Sequence, residues 1–363
     1  YYYLQSLCDA FKKQEGEVEY HYIRYWLPVY KGSNKIGKVI EHLSFTLWKQ
    51  LVLPIYCIIY SIDVLFCTDY FLPLAPIPAK KVVVFHDTFF YEQPGHYNSW
   101  WLKTFHWIAV RAAKKAQKVI VPTEYVKERL GKFLPTIQDR ILVVYEGPKE
   151  LVKQKDTAWE NKITTWLSGS DYLLHVGTLD HRKNLIRLVA AYEIVLKKKS
   201  ALSGNQSAIK LIIAGDSPKY FSSNGKIELT QAIKNKGLEK NILLTGTVTE
   251  TQLSYLYQNA RVYVFPSLNE GFGLPLVEAM KYQIPIAAAN NTALPEVGGG
   301  AALYFDPTKE EEMAEQINTL LQNEAIRTTL QSEAKKRILL FNWDLAAAAL
   351  KNIFIQVNKK KLE

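Results

Sequence analysis

From residue 172 onward the chain alternates short apolar runs with longer amphipathic stretches. The runs fall at 172–176, 210–214, 241–244, 261–265, 284–288 and 302–305. Runs of four or five apolar residues, unbroken by polar alternation, suit strands buried on both faces. The stretches between them fit crossover helices, so a parallel, doubly wound α/β sheet is expected. The first half repeats the theme less regularly. Strands are expected at 18–23, 64–67, 82–86, 119–121 and 141–144, with helices at 4–13, 35–51, 100–116 and 124–133. The pattern lapses between 148 and 170 into Lys, Gly, Ser and isolated Trp, and the domain boundary is placed there.

A prior of about 150 residues per domain makes the 363 residues two domains. The expected division is 1–150, 151–341 and a final helix within 342–363 that packs back on the first domain. Each doubly wound sheet carries its binding loops at the C-terminal ends of its strands. If the two rims face one another, the cleft between them is the site, and it closes around its substrate.

A hydrophobic content of 48% with 22% charged residues supplies two cores and argues against disorder. The formal charge is +10, but it is spread evenly. Residues 1–150 hold 19 Lys/Arg against 14 Asp/Glu, and residues 151–363 hold 26 against 21. Neither half is a basic module, and the runs at 197–199, 335–337 and 359–361 read as solvated helix ends, so nucleic acid is not an expected partner. Cys8, Cys57 and Cys67 share no metal-like spacing and suit small apolar positions in a reducing compartment. No signal peptide is visible. The most apolar window, 51–66, contains Pro54 and Asp63 and falls short of the roughly 20 residues of a membrane span. It is expected to be a buried helix end followed by a strand, with a membrane-facing patch as the alternative.

The densest chemical signal is the run from Pro266 to Glu278. It follows a buried strand and leads into a helix marked by Gly271, Gly273 and Pro275, with Leu274 between the last two. Glycines at a helix start let a ligand approach backbone N–H groups, an arrangement that holds phosphates. Glu270 sits in the mouth of this loop. Glu278 lies about one turn into the helix, where it is placed to accept hydrogen bonds from paired hydroxyls. A second cluster, Gly177 to Asn184, follows the strand at 172–176. Its adjacent Arg182 and Lys183 are poorly placed to stabilise a helix dipole, but they suit a departing diphosphate, Arg as a fork and Lys as a point charge. In the first half His86 and Asp87 end a buried strand, at a rim position.

The Glu-x7-Glu, Gly-Phe-Gly and Leu-Pro signals on one junction resemble the retaining glycosyltransferases of the GT-B fold, glycosyltransferase family 4 in particular. The match covers nearly the whole chain and is most specific over 172–306. The resemblance implies that Arg182 and Lys183 contact the phosphates of a nucleotide-sugar donor. It implies that His86, followed by aromatics and Pro94, lies beside the donor sugar and stabilises developing charge. Thr123-Glu124 matches the loop before a helix on the acceptor side more weakly. Glu270, with the backbone of Phe272 and Gly273, is expected to orient the sugar hydroxyls, and Glu278 to hold the ribose or nucleotide end. Gly215, Gly246 and 291–296, with Thr292, are further donor-side candidates. The first domain departs from the family at its opening, where a strand and a Gly-rich loop normally precede the first helix.

No Asp-x-Asp occurs, nor any His/Cys/carboxylate cluster with metal spacing, so metal-independent transfer without a cofactor is expected. Arg182, Lys183 and the helix start at 271–273 would then neutralise the diphosphate. The expected partners are a nucleotide-diphosphate sugar, GDP-mannose favoured over UDP-hexoses, and a glycan or lipid-linked acceptor of surface polysaccharide synthesis. The expected location is cytoplasmic, with peripheral contact at the inner membrane face. A sugar-nucleotide epimerase and a non-catalytic sugar-nucleotide-binding relic are the rival readings. A nicotinamide oxidoreductase lacks its Gly-x-Gly-x-x-Gly after any strand.

Overall fold

The computed structural model describes residues 2–14, 16, 18–25, 35–92, 99–152, 154–202, 209–217 and 225–359. Pro94 and Lys360–Lys361 lie outside the described residues. The chain divides into two compact units, one formed by Tyr1–Glu146 with Trp343–Glu363 and the other by Gly147–Asn342.

The first unit comprises α1 (Tyr2–Lys12), α2 (Lys35–Leu47), α3 (Leu53–Ile59), β1 (Val64–Cys67), β2 (Lys80–Val84), α4 (Phe89–Glu92), α5 (Ser99–Lys115), β3 (Lys118–Val121), α6 (Glu124–Phe133) and β4 (Ile141–Val143), closed by the final helix Trp343–Lys359. Its four strands pair in parallel in the order β1-β2-β3-β4. Side chains alternate across a strand, and β2 serves both cores accordingly. Val82 and Val84 meet Leu7, Phe11, Ala347 and Leu350 of α1 and the final helix. Val83 and the following Phe85 join Ala109, Ala112 and Leu130 of α5 and α6. Thr123 begins α6 where its hydroxyl accepts from the Val126 N–H, at 3.2 Å.

Two expectations fail in this unit. Residues 18–25 form no strand despite their alternating pattern; β1, the nearest candidate partner, hydrogen-bonds only to β2 among the described residues. The expectation for the apolar window from residue 51 fails in part: a helix end and a strand follow one another there, but the helix is buried only at Leu53, Pro54 and Cys57. A π-helical turn, Trp48–Val52, joins α2 to α3, and Leu43, Leu47, Leu51, Ile55, Ile58 and Ile59 are each more than half exposed. The stretch Val39–Ile59 is long and apolar enough to cross a membrane by length and composition.

The second unit runs α7 (Thr157–Leu167), β5 (Tyr172–Val176), α8 (Leu185–Leu202), β6 (Lys210–Ala214), α9 (Gly225–Asn235), β7 (Ile242–Gly246), α10 (Glu250–Asn259), β8 (Val262–Phe265), α11 (Leu274–Lys281), β9 (Ile286–Ala289), α12 (Leu294–Gly298), β10 (Ala302–Phe305), α13 (Glu310–Gln322) and α14 (Glu324–Arg337). Helix α7 occupies a segment in which no pattern was expected. The six strands pair in parallel in the order β10-β9-β8-β5-β6-β7. Strands β8 and β9 are buried at every position, whereas β7 and β10, at the edges, are only partly covered. The strand order reverses between β5 and β8. In open parallel sheets the loops at such a switch point diverge and leave a crevice for ligands.

Candidate active site

The loops after β5, β6, β8, β9 and β10 meet at this reversal. Gly177, the first residue past β5, donates its N–H to Ala214 O at 3.0 Å. Gly215, directly after β6, has φ +144°, and a Cβ there would lie 1.8 Å from Gly177 O. The two backbones touch, so neither a side chain nor an ordinary backbone conformation fits at Gly215.

Beyond Gly177 the chain makes a tight turn organised by Asp180, which sequence reasoning missed. Its carboxylate accepts from the Thr178 hydroxyl (2.6 Å), the Arg182 N–H (2.9 Å) and Arg182 Nη2 (3.2 Å). Burial alone would raise the pKa of Asp180, but the Thr178 hydroxyl and the cations Arg182 and Lys183 hold it below the usual carboxylate range. Asn184 then takes the left-handed conformation at φ +57°. Its amide donates to Pro266 O (3.1 Å) and Pro307 O (2.7 Å), tying the β5, β8 and β10 loops together. Leu268 N–H donates to Arg182 O at 2.7 Å, a second tie.

Lys183 and Glu270 come together. Both side chains are about nine-tenths covered, and the ammonium donates directly to Glu270 Oε1. The Lys183 nitrogen also stands 5.5 Å from the Phe265 ring centroid. Thr292, at φ +53°, accepts the Glu270 N–H at its hydroxyl, at 3.2 Å. Asn291 donates to Leu268 O at 2.8 Å. Gly273 enters α11 at φ +94°, and a Cβ there would lie 2.9 Å from Leu294 and 3.2 Å from Phe265. Phe272 is buried edge-on to Phe341. Leu274 is the first residue of α11, with Pro275 behind it.

Glu278 sits apart from the Lys183–Glu270 pair in its bonding. Its Oε2 accepts from the Tyr257 hydroxyl at 2.8 Å, and it also accepts from the Lys149 backbone. Burial lifts its pKa to about 7 against the pull of Tyr257, Lys149 and Lys281. His175, on β5, carries its proton at Nδ1, which donates to Val264 O at 3.0 Å. Its buried Nε2 has no partner among the described residues. Burial, reinforced by Lys183, drops its pKa to about 4, so the ring is neutral.

In the first unit His86 donates from Nε2 to Thr68 O (2.9 Å) and meets Glu146 through Nδ1 (3.2 Å). Burial would lower its pKa, but Glu146, Thr68 and Asp87 together raise it. Both ring nitrogens are thus engaged inside the unit. The Tyr3 ring stands edge-on at 4.7 Å. Asp87 caps α4 by accepting from Phe89 N–H at 3.2 Å.

Two parallel-sheet α/β units, with a Gly-lined crevice and a buried Lys–Glu pair at the switch point of the second, define a glycosyltransferase of the GT-B fold. A family model described as glycosyl transferases group 1 matches residues 145–337, and one described as glycosyltransferase family 4 matches residues 4–148. The chain belongs to this family. The O-antigen chain mannosyltransferase B of Escherichia coli is 25% identical over 277 residues, which span 73% of this chain and 67% of that protein. The fold is shared with sucrose-phosphate synthase from Thermosynechococcus elongatus, at TM-score 0.73 and 17% identity, covering 98% of this chain and 92% of that one. Anabaena HepE in complex with UDP and glucose superposes at TM-score 0.61 and 20% identity, over 76% of this chain and 71% of that one.

Proposed function

We propose that this glycosyltransferase moves a hexose, with retention of configuration, from a nucleotide-diphosphate sugar to a glycan or lipid-linked acceptor of surface polysaccharide synthesis. The observation that carries the reading is the buried Lys183–Glu270 pair at the switch point. An ammonium and a carboxylate held together under cover are already desolvated and fixed in place. When a donor binds, Lys183 faces its diphosphate as a point charge, and Glu270 accepts hydrogen bonds from the sugar hydroxyls alongside the Phe272–Gly273 backbone. Arg182 adds a second cation from the Asp180 turn, and Glu278 holds the nucleoside end.

In this mechanism the bond between the anomeric carbon and the leaving phosphate breaks first, giving an oxocarbenium-like state. The acceptor hydroxyl then attacks from the face the phosphate leaves, and its proton passes to that phosphate. No protein base is required. His86, whose pKa is raised by Glu146 against the effect of burial, is assigned to stabilise charge developing on the donor. Metal independence belongs to the same proposal, because Arg182, Lys183 and the amide end of α11 supply the positive potential. No cofactor is invoked.

The mannosyltransferase relative supports mannose as the sugar, hence GDP-mannose as the favoured donor. HepE, named with UDP and glucose, makes UDP-glucose the comparison to run beside it. Cytoplasmic placement with peripheral membrane contact is proposed through the exposed apolar face of α2 and α3. Incubation with radiolabelled GDP-mannose or UDP-glucose, a membrane-derived acceptor and excess chelator is the test. Transfer that survives chelation, with an axial product anomer by NMR, is expected. Release of a free epimer, or binding without turnover, refutes the reading.

A further inference from the structure

Tyr257, near the end of α10, is fully buried. Its hydroxyl donates to Glu278 Oε2 on α11, at 2.8 Å. The ring is packed on two sides. It stacks on Tyr282 at 5.4 Å and 16° between planes, and Tyr263 meets it at 5.9 Å, tilted by 51°. Tyr282 is itself tied back to α10, hydroxyl to hydroxyl with Ser254 at 2.9 Å. A side chain held this way presents its hydroxyl in one direction, and that direction is Glu278.

Tyr263 shows where this cluster lies. Its hydroxyl stands 3.5 Å from Val176 O, at the end of β5. Burial raises its pKa, and the charges of Glu278 and Glu270 raise it further. One ring on β8 thus has both carboxylates for neighbours, which puts Glu278 at the rim where the strand order reverses. A carboxylate offers about four lone-pair positions to donors. Among the described residues, the Tyr257 hydroxyl and the Lys149 N–H take two of them. About two are left, which matches the two hydroxyls of a vicinal diol.

We propose that Tyr257 is a positioning residue for the donor's ribose: it holds Glu278 by one oxygen, so that the carboxylate keeps its remaining acceptor positions turned to the 2′- and 3′-hydroxyls. The inference rests on the reading that Glu278 holds the nucleoside end, and adds the residue through which it does so. Tyr257 touches no substrate. A glutamate side chain loses rotamer freedom when it binds a ligand, and that loss weakens binding. A bond from a packed phenol sets the rotamer before the donor arrives. The same bond acts on charge. Burial lifts the pKa of Glu278 to about 7, and the Tyr257 hydroxyl is the foremost group pulling against it, ahead of Lys149 and Lys281. Lys149 is paired with Glu250 at 2.8 Å and Lys281 with Glu150 at 2.6 Å. Tyr282 also faces the carboxylate, whose charge adds to burial in raising the phenol's pKa. Without the Tyr257 hydroxyl, Glu278 is free to turn and stays protonated to higher pH.

Isothermal titration calorimetry on the whole chain tests it. GDP and UDP are each compared with their 2′,3′-dideoxy forms and with inorganic pyrophosphate. In the wild type at pH 8, loss of the two hydroxyls is expected to weaken binding about tenfold or more. In Tyr257→Phe that ratio is expected to fall to about twofold or less, while pyrophosphate binds as in the wild type. Tyr257→Met also lacks the donor but fills the space with a flexible chain, and the same result is expected from it. The wild-type ratio is expected to shrink as pH falls through about 7. In Tyr257→Phe, raising the pH to 9 is expected to recover part of the ratio, which a packing defect would not do. An unchanged ratio in either folded variant overturns the inference and leaves the Glu278 assignment standing. So does equal weakening of pyrophosphate and nucleotide, or failure of both variants to fold, since Tyr257 is then a core residue only. Equal binding of the ribose and dideoxy forms by the wild type overturns the Glu278 assignment and the inference with it. No binding of either nucleotide refutes the transferase reading itself.

Discussion

Glu278→Gln isolates the cost of burying a carboxylate beside Tyr257. The acid titrates near 7 in the fold against an ordinary value of 4.5, because burial penalises its charged form. Ionising it in place therefore costs about 3 kcal/mol. The sign follows from proton binding. Between pH 4.5 and 7 the folded chain holds a proton that the unfolded chain has released, so stability falls as pH rises and levels off above 7. Glutamine stays neutral, keeps an acceptor for the Tyr257 hydroxyl and removes this slope. Urea unfolding of both proteins at pH 4.5, 6, 7 and 8 is the assay. The stability difference between variant and wild type should shift in the variant's favour by about 3 kcal/mol from pH 4.5 to pH 8. Parallel curves across that range would refute the assignment of the shift to Glu278.

Lys183→Met and Glu270→Gln each leave a buried partner unpaired or weakly paired, and each should cost about 3–5 kcal/mol. The double variant should cost clearly less than the sum, and a double-mutant cycle in urea checks the coupling. Gly215→Ala forces a Cβ into Gly177 O at 1.8 Å from a φ of +144°. It should lower stability by about 2 kcal/mol or more and weaken donor binding, read by thermal shift with GDP-mannose. Glu146→Gln should drop the His86 pKa below 6.5, because burial persists while its counter-charge goes; NMR titration of the ring reports it. The wild-type His86 contribution to stability is fully present below 6.5 and is lost as pH rises through its raised folded value.

Much of the second unit was legible because its strands are buried on both faces. A position such as Leu174 or Val264 must be apolar whatever its neighbours do, so the six runs stand out from the stretches between them. Boundaries moved by only a residue or two, as at Val262–Phe265. Helix α7 escaped because only Ile163 and Leu167 of its 11 residues are buried, too few for a visible stripe. Its local signals were present: Asp156 accepts from Trp159 N–H, and Ser168 ends the helix at φ +50°. The exposed ridge of α2 and α3 misled for the opposite reason. Apolarity measures what a residue tolerates, and at Ile55 and Ile58 it does not report burial within this chain.

The candidate site divides along the same line. Motif residues Lys183, Glu270, Gly215 and Gly273 were visible because a fixed backbone conformation or a buried charge leaves few substitutes. His175, Tyr257 and Glu146 were not, because each acts through a partner remote in sequence; Asp180, whose partners Thr178 and Arg182 lie only two positions away, was passed over beside the more conspicuous Arg182-Lys183 pair. His175 is 89 positions from the carbonyl that fixes its tautomer, and Glu146 is 60 from the ring it contacts. Such residues have no spacing to read. They nonetheless act on titration, since Glu146 raises the pKa of His86 and Tyr257 pulls that of Glu278 down against burial. A pH profile of transfer should therefore bear the marks of residues that the motifs never name. In Glu146→Gln the limb belonging to His86 should move to lower pH while the limb belonging to Glu278 stays. If both limbs moved together, the two titrations would be one coupled event, and the separation of the two sites drawn here would be wrong.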